Sequence, residues 1–297
     1  MNENQPFFSI IIPTYKRPRQ VAACMQSLVE LDYSPDCFEV IVVDDGGETP
    51  LDEVAASSGD RLDVRLLRQP NSGPATARNT GAARAKGEFL AFTDDDCRPA
   101  PDWLKSLAVR FGKDPDCVIG GRTINALPDN PYSSASQLLI DYLYSYYNAD
   151  PYRARFLASS NLGMAADRFR AIGGFDTTFP RAAGEDREFC DRWLSQGFRI
   201  IYASEVIVHH AHPLTFRTFW RQHFWYGRGA FAFHRIRARR GLGRVKVEPV
   251  SFYRNLLRYP FLHERGIKAL LLGSLLIGAQ VANAAGFFVE RMKGKRV

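Results

Sequence analysis

Three consecutive aspartates, Asp94, Asp95 and Asp96, follow directly on an apolar run at Phe89–Thr93. Like charges this close repel one another unless positive charge sits among them. Carboxylates crowded at the end of a strand suit a hard divalent cation, Mn2+ or Mg2+, with coordination positions left for phosphate oxygens. Such an ion on a diphosphate stabilises the charge that grows as the diphosphate departs. The plainer reading is an acidic cap on the next helix. Three acids in a row exceed what a cap needs, and the next helix, expected at 101–111, begins too far on.

Three further clusters carry chemistry. NSGPATARN, residues 71–79, is a Gly–Pro turn feeding a helix with Arg78, a side chain suited to phosphate or to holding nearby aspartates. GEDREFCDRW, residues 184–193, places Glu185 and Asp186 at a helix start, where acids complement the helix dipole. A carboxylate in that position can also take a proton from an attacking hydroxyl. HHAHP, residues 209–213, sets three histidines in four positions after a short strand, which favours metal or phosphate contact over a structural role.

The elements that must position these groups alternate. Phe7–Ile12, Val40–Val43, Asp63–Leu67 and Phe89–Thr93 read as strands, the first of them buried on both faces and not a signal peptide. Helical spacing at Val21, Cys24, Met25, Leu28 and Leu31, then Ala75–Ala85 and Pro101–Phe111, fills the intervals. This is α/β order, with a mostly parallel, Rossmann-like sheet flanked by helices and right-handed crossovers. Ligands of such sheets bind at the carboxyl ends of the strands. PTYKRP, DDGG and TDDDC all stand there. Further on, Leu157–Met164 reads as a strand, Gly184–Gln196 as a helix, and Arg199–Ala203 and Val206–Val208 as two short strands.

Composition sets bounds. The 297 residues carry a net charge of +7, which favours acidic partners such as nucleotide phosphates, nucleic acid or anionic lipid. Five cysteines without a CxxC pair argue against a zinc ribbon and a disulfide scaffold, and for free thiols in a reducing compartment. Neither GxxxxGK[ST] nor a GxGxxG after the first strand is present, which disfavours a P-loop NTPase and a dinucleotide-binding fold.

FSIIIPTYKRP, EVIVVDDGG and NSGPATARNTGAARAKGEFLAFTDDDCRPAPDWL, with NLGMAADRFRAIGGFD, GEDREFCDRW and RQHFWYGRGAF beyond them, together resemble the family 2 glycosyltransferases. The resemblance implies a GT-A fold and transfer, with inversion, of a sugar from a UDP- or GDP-linked donor to a hydroxyl of a saccharide or lipid-linked acceptor. It implies Pro13, Thr14, Tyr15, Asp45, Arg78, Asp94 and Asp95 at the donor nucleotide. It places Mn2+ or Mg2+ on Asp94 and Asp96, with His209 or His210, two positions that spacing does not separate. Asp186, paired with Glu185, stands as the catalytic base, and Gly163 and Met164 lie on the acceptor side. DDGG replaces the commoner DDGS, and the QxxRW motif of processive members is missing. Two rivals are a sugar-nucleotide nucleotidyltransferase, which would carry a Gly-rich basic loop near the N-terminus, and a catalytically idle nucleotide- or membrane-binding protein.

From Thr215 the composition shifts, dividing a catalytic domain, 1–215, from a basic and aromatic helical extension, 216–297. Residues 217–246 hold nine Lys/Arg and no acid, interleaved with aromatics. No nucleic-acid-binding motif accompanies them, so an anionic membrane surface is the expected partner. Ala269–Val289 runs 21 residues without a charge, long enough to span a bilayer. Basic residues flank it on both sides and disfavour a simple span. Ser274, Gly278, Ala282 and Gly286 form a small-residue stripe that suits close packing, including a homodimer. The expected location is the cytoplasmic face of a membrane.

Overall fold

The computed structural model describes residues 5–47, 51–56, 61–179, 183–241 and 247–293. In chain order the elements are β1 (Phe8–Thr14), α1 (Pro18–Val29), β2 (Phe38–Asp44), α2 (Asp52–Ala56), β3 (Val64–Arg68), α3 (Pro74–Arg84), β4 (Phe89–Thr93), β5 (Cys97–Pro99), α4 (Trp103–Phe111), β6 (Val118–Asn125), α5 (Pro131–Tyr147), β7 (Asn161–Ala165), α6 (Ala166–Ala171), α7 (Glu185–Ser195), β8 (Ile200–His210), α8 (Phe216–Arg239), α9 (Val250–His263) and α10 (Gly266–Lys293). They form two compact units. The first comprises Met1–Ile124, Asn148–Thr177 and Asp186–Ala211; the second comprises Asn125–Tyr147, Thr178–Glu185 and His212–Val297. The second unit therefore gathers two earlier segments besides the C-terminal extension.

The first unit is built on a sheet of order β3-β2-β1-β4-β7-β6-β8-β5. β1 pairs in parallel with β2 and β4, and β2 with β3. The expected mostly parallel sheet holds only for this half: β7 runs antiparallel to β4 and to β6, and β5 antiparallel to β8. The apolar runs of β1 and β2 are buried along their whole length, as strands covered on both faces must be. Phe8, Ile10, Val40, Phe89, Leu104 and Phe111 share the main core.

Two differences from the sequence reading have local causes. The two short strands expected at 199–208 are one strand, β8, because the exposed Ser204 and Glu205 that look like a turn continue it. β6 was not expected, since VIGGRTIN has a glycine pair in its middle. A Cβ on Gly121 would lie 1.7 Å from the Val206 carbonyl oxygen, so close strand approach, not turning, requires this glycine. That carbonyl also accepts from Asn161 Nδ2 at 2.9 Å, while Asn161 Oδ1 accepts from Trp103 Nε1 at 2.9 Å, so a buried amide ties β7 to β8 and α4.

All five cysteines are free. Cys24, Cys97, Cys117 and Cys190 are buried, and burial pushes each thiol upward in pKa. Cys37 is partly exposed, in the short turn just before β2.

In the second unit α8 and α10 approach at backbone distance. A Cβ on Gly227 would meet the Asn283 carbonyl oxygen at 1.8 Å, and one on Gly286 the Phe224 carbonyl oxygen at 1.9 Å. The small-residue stripe is thus split. Ala282 and Gly286 pack inside this unit, whereas Ser274 is exposed and Gly278 has open space beside it.

His223 of α8 is buried, with Ser136 Oγ 3.3 Å from its Nε2. Burial holds its pKa down at about 4. An unfolded histidine titrates near 6.5. Between these values the unfolded chain binds a proton that the native chain does not, so stability falls as pH drops through that window. The loss reaches about 3 kcal/mol near pH 4. Urea unfolding between pH 7 and 4 is expected to show this slope in the native protein and a flatter one in His223→Gln.

Candidate active site

The carboxyl ends of β1, β2 and β4 bring three polar segments together. Thr14, the last residue of β1, donates from Oγ1 to Asp95 Oδ2 at 2.7 Å. Arg17, at the N-cap of α1, places Nη1 3.1 Å from both Asp95 Oδ1 and Asp96 Oδ2. Arg78 of α3 puts Nη2 2.6 Å from Asp94 Oδ1 and lies over the Phe175 ring. His210, the last residue of β8, sets Nε2 3.1 Å from Asp96 Oδ1. Each of the three aspartates has its own cationic or donor neighbour, which answers the repulsion that the sequence raises.

The electrostatics follow from this packing. Burial pushes the Asp95 carboxyl up to about 6, while Arg17 and the Thr14 hydroxyl pull it down. At His210 burial works against charge, but the bond to Asp96 and the field of Asp94 outweigh it and raise the pKa.

At the end of β2, Asp45 accepts from Gln69 Nε2, Ser72 N and Gly73 N at 2.7–2.8 Å. It thereby clasps the loop that leads into α3. Gly46 sits at φ +89°, and a Cβ on Gly47 would meet Asp44 Oδ1 at 2.7 Å, so the DDGG variant follows from this tight turn. Pro13 is buried beside Thr14, and Tyr15 is exposed.

Strand alternation separates the two adjacent histidines: His210 faces Asp96, and His209 is exposed, opposite Arg98 in the pairing with β5. Asp96 and His210 thus set a carboxylate oxygen and an imidazole nitrogen side by side. A carboxylate and an imidazole are donors that fit a divalent metal. Asp94 is tied instead to Arg78, and His209 is exposed.

Asp186 is partly exposed near the start of α7, while its neighbour Glu185 is buried. Asp186 Oδ2 accepts from Ser159 N at 3.2 Å. Burial raises its pKa, with Arg78 opposing and Asp94 adding to the shift. Asp186 thus stands in the field of Arg78 and Asp94.

Gly163 and Met164 are not brought to the crevice. Both are buried mid-strand in β7: Met164 is 0% exposed, and the Cβ position of Gly163 points at Leu107 and Phe111 under α4. The two positions lie on opposite faces of the strand, and both are enclosed. Arg17 is the participant that the sequence does not single out: PTYKRP reads as a strand-end cluster, and nothing in its spacing says which cation turns back to the aspartates.

Residues 9–173, more than half of the chain, match the pattern described as glycosyl transferase family 2. The chain belongs to that family. This family 2 glycosyltransferase is similar to the glycosyltransferase AglE of Haloferax volcanii, 27% identical over 218 residues, covering 72% of this chain and 70% of that protein. It is also similar to the pre-mycofactocin glycosyltransferase of Mycobacterium tuberculosis, 32% identical over 198 residues, covering 65% of this chain but only 42% of that protein. Among solved structures, the mannosyltransferase PcManGT of Pyrobaculum calidifontis, in complex with GDP-Man and Mn2+, superposes with a TM-score of 0.62. That match is 19% identical, covers 94% of this chain and 74% of the other, and shows the shared GT-A fold.

Proposed function

We propose that the protein is an inverting, metal-dependent glycosyltransferase using a UDP- or GDP-linked sugar. The observation that supports this is the gathering of Asp94, Asp95 and Asp96 with Arg17, Arg78 and His210 at the strand ends, with Asp186 in the field of Arg78 and Asp94. Asp186 takes the proton of an acceptor hydroxyl; the hydroxyl oxygen attacks the anomeric carbon; the bond to the diphosphate breaks and its electron pair leaves with the phosphate. A single displacement of this kind needs one base opposite the leaving group, and of the Glu185–Asp186 pair the partly exposed Asp186 is the one a hydroxyl can reach. Thr14, Tyr15, Asp45 and Arg78 are assigned to the donor nucleotide, with Pro13 backing them. Asp96 and His210 would hold the metal, which would supply charge stabilisation for the departing diphosphate. An imidazole beside a carboxylate favours Mn2+ over the all-oxygen preference of Mg2+.

The acceptor is assigned as a saccharide or lipid-linked hydroxyl, and the protein itself to an anionic membrane surface on the cytoplasmic side, where free thiols persist. In α10 the exposed Ile267, Leu270, Ile277, Val281, Phe288 and Met292 follow one helical face, opposite the buried Leu272, Leu276, Ala279 and Ala282. Exposed Arg254, Arg258, Arg265, Lys268, Arg291 and Lys293 accompany this apolar face. α10 packs on α8, which carries Arg217, Arg221, Arg228, Arg235, Arg237 and Arg239 and does not suit a hydrocarbon environment. An in-plane helix, half in the unit and half against lipid, accommodates both faces. Carbonate washing is expected to release the protein, and flotation with anionic but not zwitterionic vesicles is expected to hold it; carbonate retention would indicate a span instead.

A donor screen by thermal shift with Mn2+ tests the enzymatic reading. One nucleotide sugar should raise the Tm well beyond the others, and proton NMR of the product should show the opposite anomeric configuration. Retention of configuration, or release of pyrophosphate from a nucleoside triphosphate and a sugar phosphate, would overturn it.

A further inference from the structure

Arg17 and Arg78 both neutralise the aspartate segment, but they are held differently. The Arg78 side chain is 5% exposed, sits 2.6 Å from Asp94, and is backed by the Phe175 ring. Arg17 is 44% exposed and touches Asp95 and Asp96 through one nitrogen, at 3.1 Å to each. Its backbone follows Lys16, which at φ +57° is the non-glycine residue in the left-handed region among those described. That unfavourable turn lies between the end of β1 and Pro18, immediately before Arg17.

The contacts of Asp96 make the arrangement competitive. Its Oδ1 is taken by His210 and its Oδ2 by Arg17. A dication held by Asp96 and His210 and a guanidinium on the same carboxylate repel each other across a few ångströms of partly buried space. The long exposed side chain is the one of the two that can move. Resting on the metal-dependent reading above, we infer that Arg17 is a placeholder cation, which yields Asp95 and Asp96 when the divalent ion arrives and turns to the donor's diphosphate. The guanidinium then meets a group of the same charge type in the same geometry: two carboxylate oxygens before, phosphate oxygens after. The aspartates are neutralised throughout, and the charge that Arg17 carries is returned to the side where the leaving group develops its own. Arg17 is a positioning residue for the cation and a contact for the diphosphate.

The two roles predict opposite effects of one substitution. In Arg17→Gln, Mn2+ alone, titrated by calorimetry or by the loss of its free electron-paramagnetic signal, should bind about 5- to 10-fold more tightly than in the native protein. UDP or GDP, whichever the native protein binds, should bind about 10-fold more weakly at saturating Mn2+. Arg17→Lys, which keeps the charge, should bring Mn2+ affinity back toward the native value. If Arg17→Gln is unstable, the Tm gained on adding Mn2+ should exceed the native gain; a smaller gain counts against the inference. A merely structural arginine would weaken both ligands together, and unchanged or weaker Mn2+ binding in Arg17→Gln overturns the inference. If the native protein binds nucleotide but no Mn2+, the metal-dependent reading falls and this inference falls with it. Native Mn2+ binding with no gain in the variant sinks the placeholder alone.

Discussion

Asp186→Asn is expected to lower the rate of sugar transfer about 10³-fold while donor affinity changes less than about twofold. That loss corresponds to about 4 kcal/mol of transition-state stabilisation. The amide preserves shape and can still face Ser159 N, so folding should be spared. It cannot accept a proton at neutral pH, so the chemical step should be lost selectively. The pH profile supplies a second check. Burial raises the Asp186 pKa above the ordinary aspartate range, and in the proposed role Asp186 must be deprotonated to act. Activity should therefore rise with pH along a limb displaced upward from that of a free aspartate, and the residual activity of Asp186→Asn should lack this limb. Single-turnover kinetics with donor titration separate the two quantities. A large loss of donor affinity with chemistry intact would reassign Asp186 to binding.

The second large effect is on stability. Gly227→Val should destabilise the second unit by about 3 kcal/mol or more, because no rotamer adjustment removes a Cβ placed 1.8 Å from a carbonyl oxygen of the facing helix. The helices must separate, and Arg228 Nε then loses its 2.6 Å contact with Glu290 Oε2. Gly278→Val in α10 is the control, since the space beside Gly278 is open. It should cost less than about 1 kcal/mol. Circular dichroism melts of the two variants, compared with the native chain, measure the difference. Equal losses would show that the close crossing of α8 and α10 does not carry the unit.

The parallel half of the sheet was legible because its strands are short apolar runs ended by polar clusters, and those clusters supply the candidate site. Asp94–Asp96, Arg78 and Asp186 could be put forward as candidates from residue type and place in the chain. The antiparallel half was less legible. Gly120 and Gly121 look like a turn when only the strand itself is read, and the reason for Gly121 lies in a carbonyl more than eighty residues away. The choice between His209 and His210 needed the register of β8, which one residue of slip would invert. Met164 shows the converse error. Its place after Asn161–Gly163 matches a family motif, but in the strand it lies in the interior, and the motif's spacing carries no information on which face a side chain takes. Arg17 could not have been found from spacing, because its contacts with Asp95 and Asp96 join residues nearly eighty positions apart.

The disposition of the thiols gives the chain a ready attachment point. Four are enclosed and reluctant to ionise, whereas Cys37 is accessible and precedes β2 at the end of the sheet opposite Asp45. Seven residues of strand separate that end from the crevice, about 23 Å. A maleimide fluorophore should therefore add once, at Cys37, and leave the crevice untouched, so that encounters with donors or vesicles can be followed optically on the unmutated chain.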